Sequence, residues 1–114
     1  MSLIPAIYNL EDHYKGSTLH PLHIKFNFEI TGATIICQVK SIQCPKIIHE
    51  WKTGLNITTI DALNGEVVLN QVNKFNPLAG NYVYDLQIDF EDGTSESYMK
   101  GCLKVIQDIT VPNI

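Results

Sequence analysis

Alternation with a period of two residues limits what this chain can become. Leu22, Ile24, Phe26, Phe28 and Ile30 are apolar, while His23, Lys25, Asn27 and Glu29 between them are polar. Successive side chains of a strand point to opposite faces, so the spacing predicts a strand over 22–30 with one buried face and one wet face. Tyr82, Tyr84, Leu86, Ile88 and Phe90 repeat the pattern against Val83, Asp85, Gln87 and Asp89. Shorter stretches follow suit. Residues 34–40 put Ile35, Cys37 and Val39 on one face. Residues 46–52 put Ile47, His49 and Trp51 on one face and Ile48 and Glu50 on the other. Residues 96–107 align Met99, Leu103 and Val105, with Gly101 between. Ile, Val and Thr together number 30 and Ala only 4, a balance that favours strands over long helices.

The turns fit between these runs. Asp61-Ala62-Leu63-Asn64-Gly65 separates strands expected at 55–60 and 66–71, and Asn-Gly supplies the positive φ angles of a tight hairpin. Glu91-Asp92-Gly93-Thr94 marks a second hairpin. Residues 72–80 form the longest irregular stretch, with room for a short helical turn ended by Pro77 and Gly80. About seven strands in 114 residues predict a single all-β domain over 1–114, an antiparallel sandwich or barrel. Residues 1–13 and 111–114 lack a strong pattern and read as an N-terminal arm and a C-terminal tail. The arm is apolar at Leu3, Ile4, Ile7, Tyr8 and Leu10, so it is expected to pack on its own sandwich or on a second copy.

Cys37, Trp51 and Tyr82-Val83-Tyr84 resemble the Cys, Trp and Tyr-x-Cys spacing of immunoglobulin domains. Leu78-Ala79-Gly80-Asn81-Tyr82 resembles the lead-in to a tyrosine corner. Tyr84 stands where the second cysteine would be, so no inter-sheet disulfide is expected. The expected fold is an immunoglobulin-like antiparallel β-sandwich.

Composition removes several functions. The net charge is −4, with 8 Lys and no Arg, so neither the electrostatics nor the bidentate fork of a nucleic-acid binder is present. No apolar run reaches the roughly 18 residues of a membrane helix. The first residues lack a basic segment and a long apolar run, so no secretory signal is expected and synthesis in the cytoplasm is the default. Cys37, Cys44 and Cys102 read as free thiols, with Cys37 and Cys102 packed as small apolar side chains. Lys104 would share a face with Cys102, weak support for a reactive thiol. Asn56-Ile57-Thr58 matches a glycosylation sequon, which suggests a surface position.

His20-x-x-His23 is the most metal-like pair. Positions three apart on a strand face opposite sides, so both reach one ion only across a bend at Pro21. His13 and His49 would join them only by chance of folding. Glu11-Asp12 and Glu91-Asp92 have the residue types of acid/base pairs, but the second is turn chemistry and the first lies in the arm. No nucleophile elbow, phosphate loop or dinucleotide fingerprint occurs. No catalytic, cofactor-binding or metal residue is therefore assigned, and no cofactor is expected. Tyr8, Tyr14 and Tyr98 are the candidates for exposed aromatics that stack on a ligand.

A wider resemblance covers roughly residues 11–110. Asp12-x-Tyr14-Lys15-Gly16-Ser17-Thr18 followed by Pro21 looks like the start of a family of small phage and prophage structural domains. That family is typified by the N-terminal domain of the baseplate upper protein. Thr31-Gly32-Ala33-Thr34-Ile35 is similar to its next element, and the match runs on through Ile60-Asp61-Ala62 and Gly65. It continues through Leu78 to Leu86, Asp92-Gly93, Tyr98-Met99-Lys100-Gly101 and Gln107-Asp108-Ile109-Thr110. The resemblance implies a non-enzymatic building block of a tail or baseplate whose partners are other virion proteins or copies of itself, a homo-oligomer included. Gln38 to Lys46 departs from the family's basic, often Arg-containing segment, and the family's long C-terminal extensions have no counterpart before Ile114.

Three readings are ranked on this basis. First is a structural or assembly subunit of a phage or prophage tail or baseplate. Second is a small carbohydrate- or surface-binding sandwich, which predicts exposed aromatics with polar neighbours. Third is an enzyme, which would need a deep pocket lined by His20, His23 and a carboxylate.

Overall fold

A computed structural model describes residues 6–7, 10, 12–42 and 46–107, and among them there are nine strands and no helix. The strands are β1 (Ala6–Ile7), β2 (His13–Tyr14), β3 (Leu22–Lys25), β4 (Thr34–Ser41) and β5 (Ile47–Lys52). They continue with β6 (Ile57–Asp61), β7 (Glu66–Leu69), β8 (Gly80–Asp89) and β9 (Ser95–Ile106). The larger sheet runs β1-β9-β8-β4-β5, with β2 also on β9, and the smaller runs β3-β7-β6. This is the immunoglobulin-like sandwich expected, with β3 to β9 as its seven main strands.

The core is what the alternation predicts. Ile35, Cys37 and Val39 of β4, Tyr82, Tyr84, Leu86 and Ile88 of β8, and Met99, Leu103 and Val105 of β9 are all buried. Ile24, Val67 and Leu69 answer them from the smaller sheet. The indole of Trp51 donates to the Asn70 carbonyl at 2.9 Å and so ties β5 to the end of β7. The Tyr82 hydroxyl donates to the Leu78 carbonyl at 2.5 Å, a tyrosine corner at the start of β8.

Four expectations need correction. The strand at 22–30 stops at Lys25, because Phe26 N–H turns to the Gly65 carbonyl and Ile30 N–H to that of Ala62. The inward alternation survives this break, and Phe26 and Ile30 stay buried. In β5 a register shift opposite Val39 and Lys40 inverts the pattern, so Ile47 is exposed while Ile48 packs on the core. Residues 72–80 hold a turn at Asn73–Lys74 and no helix. Lys74 has φ 51°, and the segment is fixed by paired backbone bonds between Leu19 and Val72 and by Phe75 N–H on the Ser17 carbonyl. The immunoglobulin-type Cys and Trp spacing lands on the wrong strands. Cys37 and Trp51 are cross-strand neighbours on β4 and β5 within one sheet, so their spacing does not describe an inter-sheet pair.

The described part of the arm covers the molecule's own edge, while Leu3 and Ile4 lie outside the described residues. Ala6–Ile7 and His13–Tyr14 run parallel to β9, opposite Met99–Lys100 and Val105–Ile106. Leu10 N–H bonds to the Cys102 carbonyl between them. The remaining edges are blunted as well. β3 is four residues long, and β6 carries a register shift between Thr59 and Asp61. On β5 the outward Lys52 N–H and Glu50 carbonyl are both taken by the side-chain amide of Asn56, at 2.8 and 2.9 Å. That amide does what the peptide group of a further strand would do.

Candidate functional site

With the β9 edge covered and the other edges blunted, the molecule offers a ligand or partner its faces and ends. Three concavities stand out. The first, about 510 Å3, lies where β2, the 17–22 segment leading into β3, and Trp51 of β5 meet. Asp12, His13, Tyr14, Ser17, Thr18 and His20 supply its polar side, and Leu10, Leu19, Pro21, Leu22 and Trp51 its apolar side. Its frame is stiff. His13 is buried, its Nε2 lies 2.7 Å from the Phe75 carbonyl, and its ring stands edge-on to that of Phe75. A carbonyl only accepts, so Nε2 carries the proton there. Lys15 N–H bonds to the Ile106 carbonyl, and Lys15 Nζ donates to Asn76 Oδ1 at 2.9 Å. Tyr14, held between these anchors, leaves 54% of its surface exposed.

The second concavity, about 400 Å3, lies on the outer face of the larger sheet between Lys40, Val83, Lys100 and Cys102. The third, about 530 Å3, sits at one end of β5 and is bordered by Ile47, Phe75, Pro77, Leu78 and Tyr82. Leu78 is 79% exposed and Ile47 46%, and Ile42, next to the lining residue Ser41, is exposed too.

The structure separates the histidines that the sequence pairs. His23 Nε2 lies 2.6 Å from Glu66 Oε2 on the outer face of the smaller sheet, whereas His20 lines the first concavity. The condition set for an enzyme is therefore met only in part, since His20 shares its cleft with the Asp12 carboxylate but not with His23. Among the described residues no three His, Cys, Asp or Glu side chains converge as metal ligands would. Asp92 is turn chemistry: it accepts from Thr94 N–H and Oγ1, bonds that hold its carboxyl below the usual carboxylate range. Glu11, Cys44 and Tyr8 lie outside the described residues.

Two further expectations change. Cys37 is buried as expected, and burial, with the Asp85 charge, pushes its thiol up to about 12, so it is a poor nucleophile. Cys102 is not buried. Leu103 and Val105 point inward on β9, so the parity of the strand turns Cys102 and Lys104 outward. Tyr98 is half-buried against Phe26, ring centroids 4.6 Å apart, which leaves Tyr14 as the exposed tyrosine of the candidate set among the described residues. The sequon asparagine, Asn56, spends its amide on the β5 edge. Spacing does not disclose the first concavity, because its lining comes from the patternless arm, a loop and a distant strand; Asp12, His13, Tyr14, His20 and Trp51 are singled out one by one, with nothing in the sequence to join them.

No family model and no curated protein matches the chain. In fold it is similar to CopC from Methylosinus trichosporium OB3b. The two align with a TM-score of 0.50 over 88% of each chain, at 13% sequence identity. At that identity the likeness establishes the shared sandwich and nothing about activity.

Proposed function

We propose that the chain is a non-enzymatic structural subunit of a phage or prophage tail or baseplate that works through protein–protein contacts. It is made in the host cytoplasm and carried into the particle. The ordered resemblance along residues 11–110 motivates the reading, and the end of the sandwich around Leu78 and Ile47 carries it. Large apolar side chains grouped around a concavity are costly to leave in water and suit a surface that a neighbour covers. The blunted edges support it further. A building block used in many copies must not extend its sheets at random, and here contact is steered to an end and a face. Its partners on this reading are other tail proteins or a second copy.

Particles purified from an induced host that carries the chain test this, with the chain quantified by mass spectrometry. A fixed stoichiometry is expected. An Ile47→Asp, Leu78→Asp double variant with an unchanged circular dichroism spectrum is expected to be absent from the particles. Purified particles without the wild-type chain would overturn the reading.

A further inference from the structure

The first concavity has a chemistry that the subunit role does not use, and we propose that it is a binding cleft for a neutral saccharide. Its size falls within the roughly 300–1,000 Å3 of small-molecule sites. Its lining narrows the ligand. Among the described residues no lysine borders it and Asp12 is its one formally charged residue, so an anionic ligand has no counter-charge there and meets a carboxylate instead. A metal ion is disfavoured by geometry, because the His and Asp side chains do not converge and His13 Nε2 is already committed to the Phe75 carbonyl. A purely apolar ligand would strand the hydroxyl, imidazole and carboxylate groups of one wall.

A sugar answers both walls. Its hydroxyls each donate and accept, which matches the carboxylate of Asp12, the hydroxyls of Ser17 and Thr18 and the imidazole of His20. Its C–H face suits the aromatic and aliphatic side, where Tyr14 stands exposed and Trp51 forms part of the wall. The site is also preformed. Trp51 is pinned through its indole N–H to Asn70, His13 through Phe75, and the Tyr14 backbone through β9, so little ordering remains to oppose binding. This proposal stands apart from the particle role, since it uses the opposite set of residues from those around Leu78.

An NMR titration of the 15N-labelled full chain tests it, with glucose, galactose, N-acetylglucosamine and their β-linked dimers as probes. At least one probe is expected to shift the amides of residues 12–22 and the Trp51 indole N–H. Tyr14→Ala and His20→Ala are each expected to weaken that probe about tenfold, the scale of one lost contact, with thermal melting unchanged. Ile47→Asp is expected to bind as the wild type does and separates this cleft from the proposed contact surface. No shift with any probe, shifts away from the cleft, or full affinity in both cleft variants would each overturn the assignment.

Discussion

The ring of His49 stands edge-on to the indole of Trp51, centroids 4.4 Å apart, with its Nε2 buried and without a hydrogen-bond partner. Phe75 closes the other side at 5.9 Å. Burial pushes the His49 imidazole below its usual range, against a smaller upward pull from Glu50. The unfolded chain therefore takes up this proton more readily than the folded one. The stability His49 allows is complete above its unfolded value of ~6.5 and is lost as pH falls through the lower folded value. Urea midpoints measured from pH ~7 down to ~5 should decline, and His49→Phe should flatten that decline. At neutral pH the same variant should be neutral or stabilising by up to ~1 kcal/mol, because it removes an unsatisfied buried nitrogen. Parallel pH profiles for the two proteins would show that His49 does not titrate as described.

Asn56 serves as a one-residue substitute for a missing strand. Replacing it with alanine frees Lys52 N–H and the Glu50 carbonyl together and should cost ~1–3 kcal/mol in denaturant unfolding. Light scattering should also rise with protein concentration, because a reopened strand edge pairs with other chains. Asn56→Asp keeps the acceptor for Lys52 and loses the donor to Glu50, so it should fall between the two. A fully stable, monodisperse Asn56→Ala protein would remove the capping role.

Gly65 answers two demands at once. Its φ is +73°, and a Cβ built on it would lie 2.3 Å from the Phe28 carbonyl oxygen. Gly93 shares the positive φ, at +92°, but has open space around it. Gly65→Ala should therefore cost more than ~2 kcal/mol, while Gly93→Ala should cost ~1–2 kcal/mol from backbone strain alone. Thermal melts of the two variants compare them directly, and equal losses would mean that the Phe28 contact relaxes freely.

The pattern of two residues was enough to place the inward faces of β4, β8 and β9, and the Asn-Gly and Asp-Gly turns placed both hairpins. These features are local, each set by a few neighbouring residues. What the sequence hid depends on contacts between distant segments. The register shift that turns Ile48 onto the core in place of Ile47 is set by pairing with β4. The parallel docking of His13–Tyr14 is set by β9, from the other end of the described chain. The cleft around Tyr14 and His20 needs all of these to form, so spacing alone could not disclose it. The second use of Gly65, as the close neighbour of Phe28, is equally invisible beside its evident use in a turn.

Ala6 pairs with Met99, and His13 with Val105. On a ribosome, the earlier of these strands to emerge must therefore wait until β3 to β8 have been made before it meets its neighbour. Until then β9 does not exist, and the apolar segment that will seal it is free to be met by something else. A nascent chain of this kind has its greatest exposure to chaperones and to strand exchange between sibling chains while β9 is still missing, after the β6–β7 hairpin has closed.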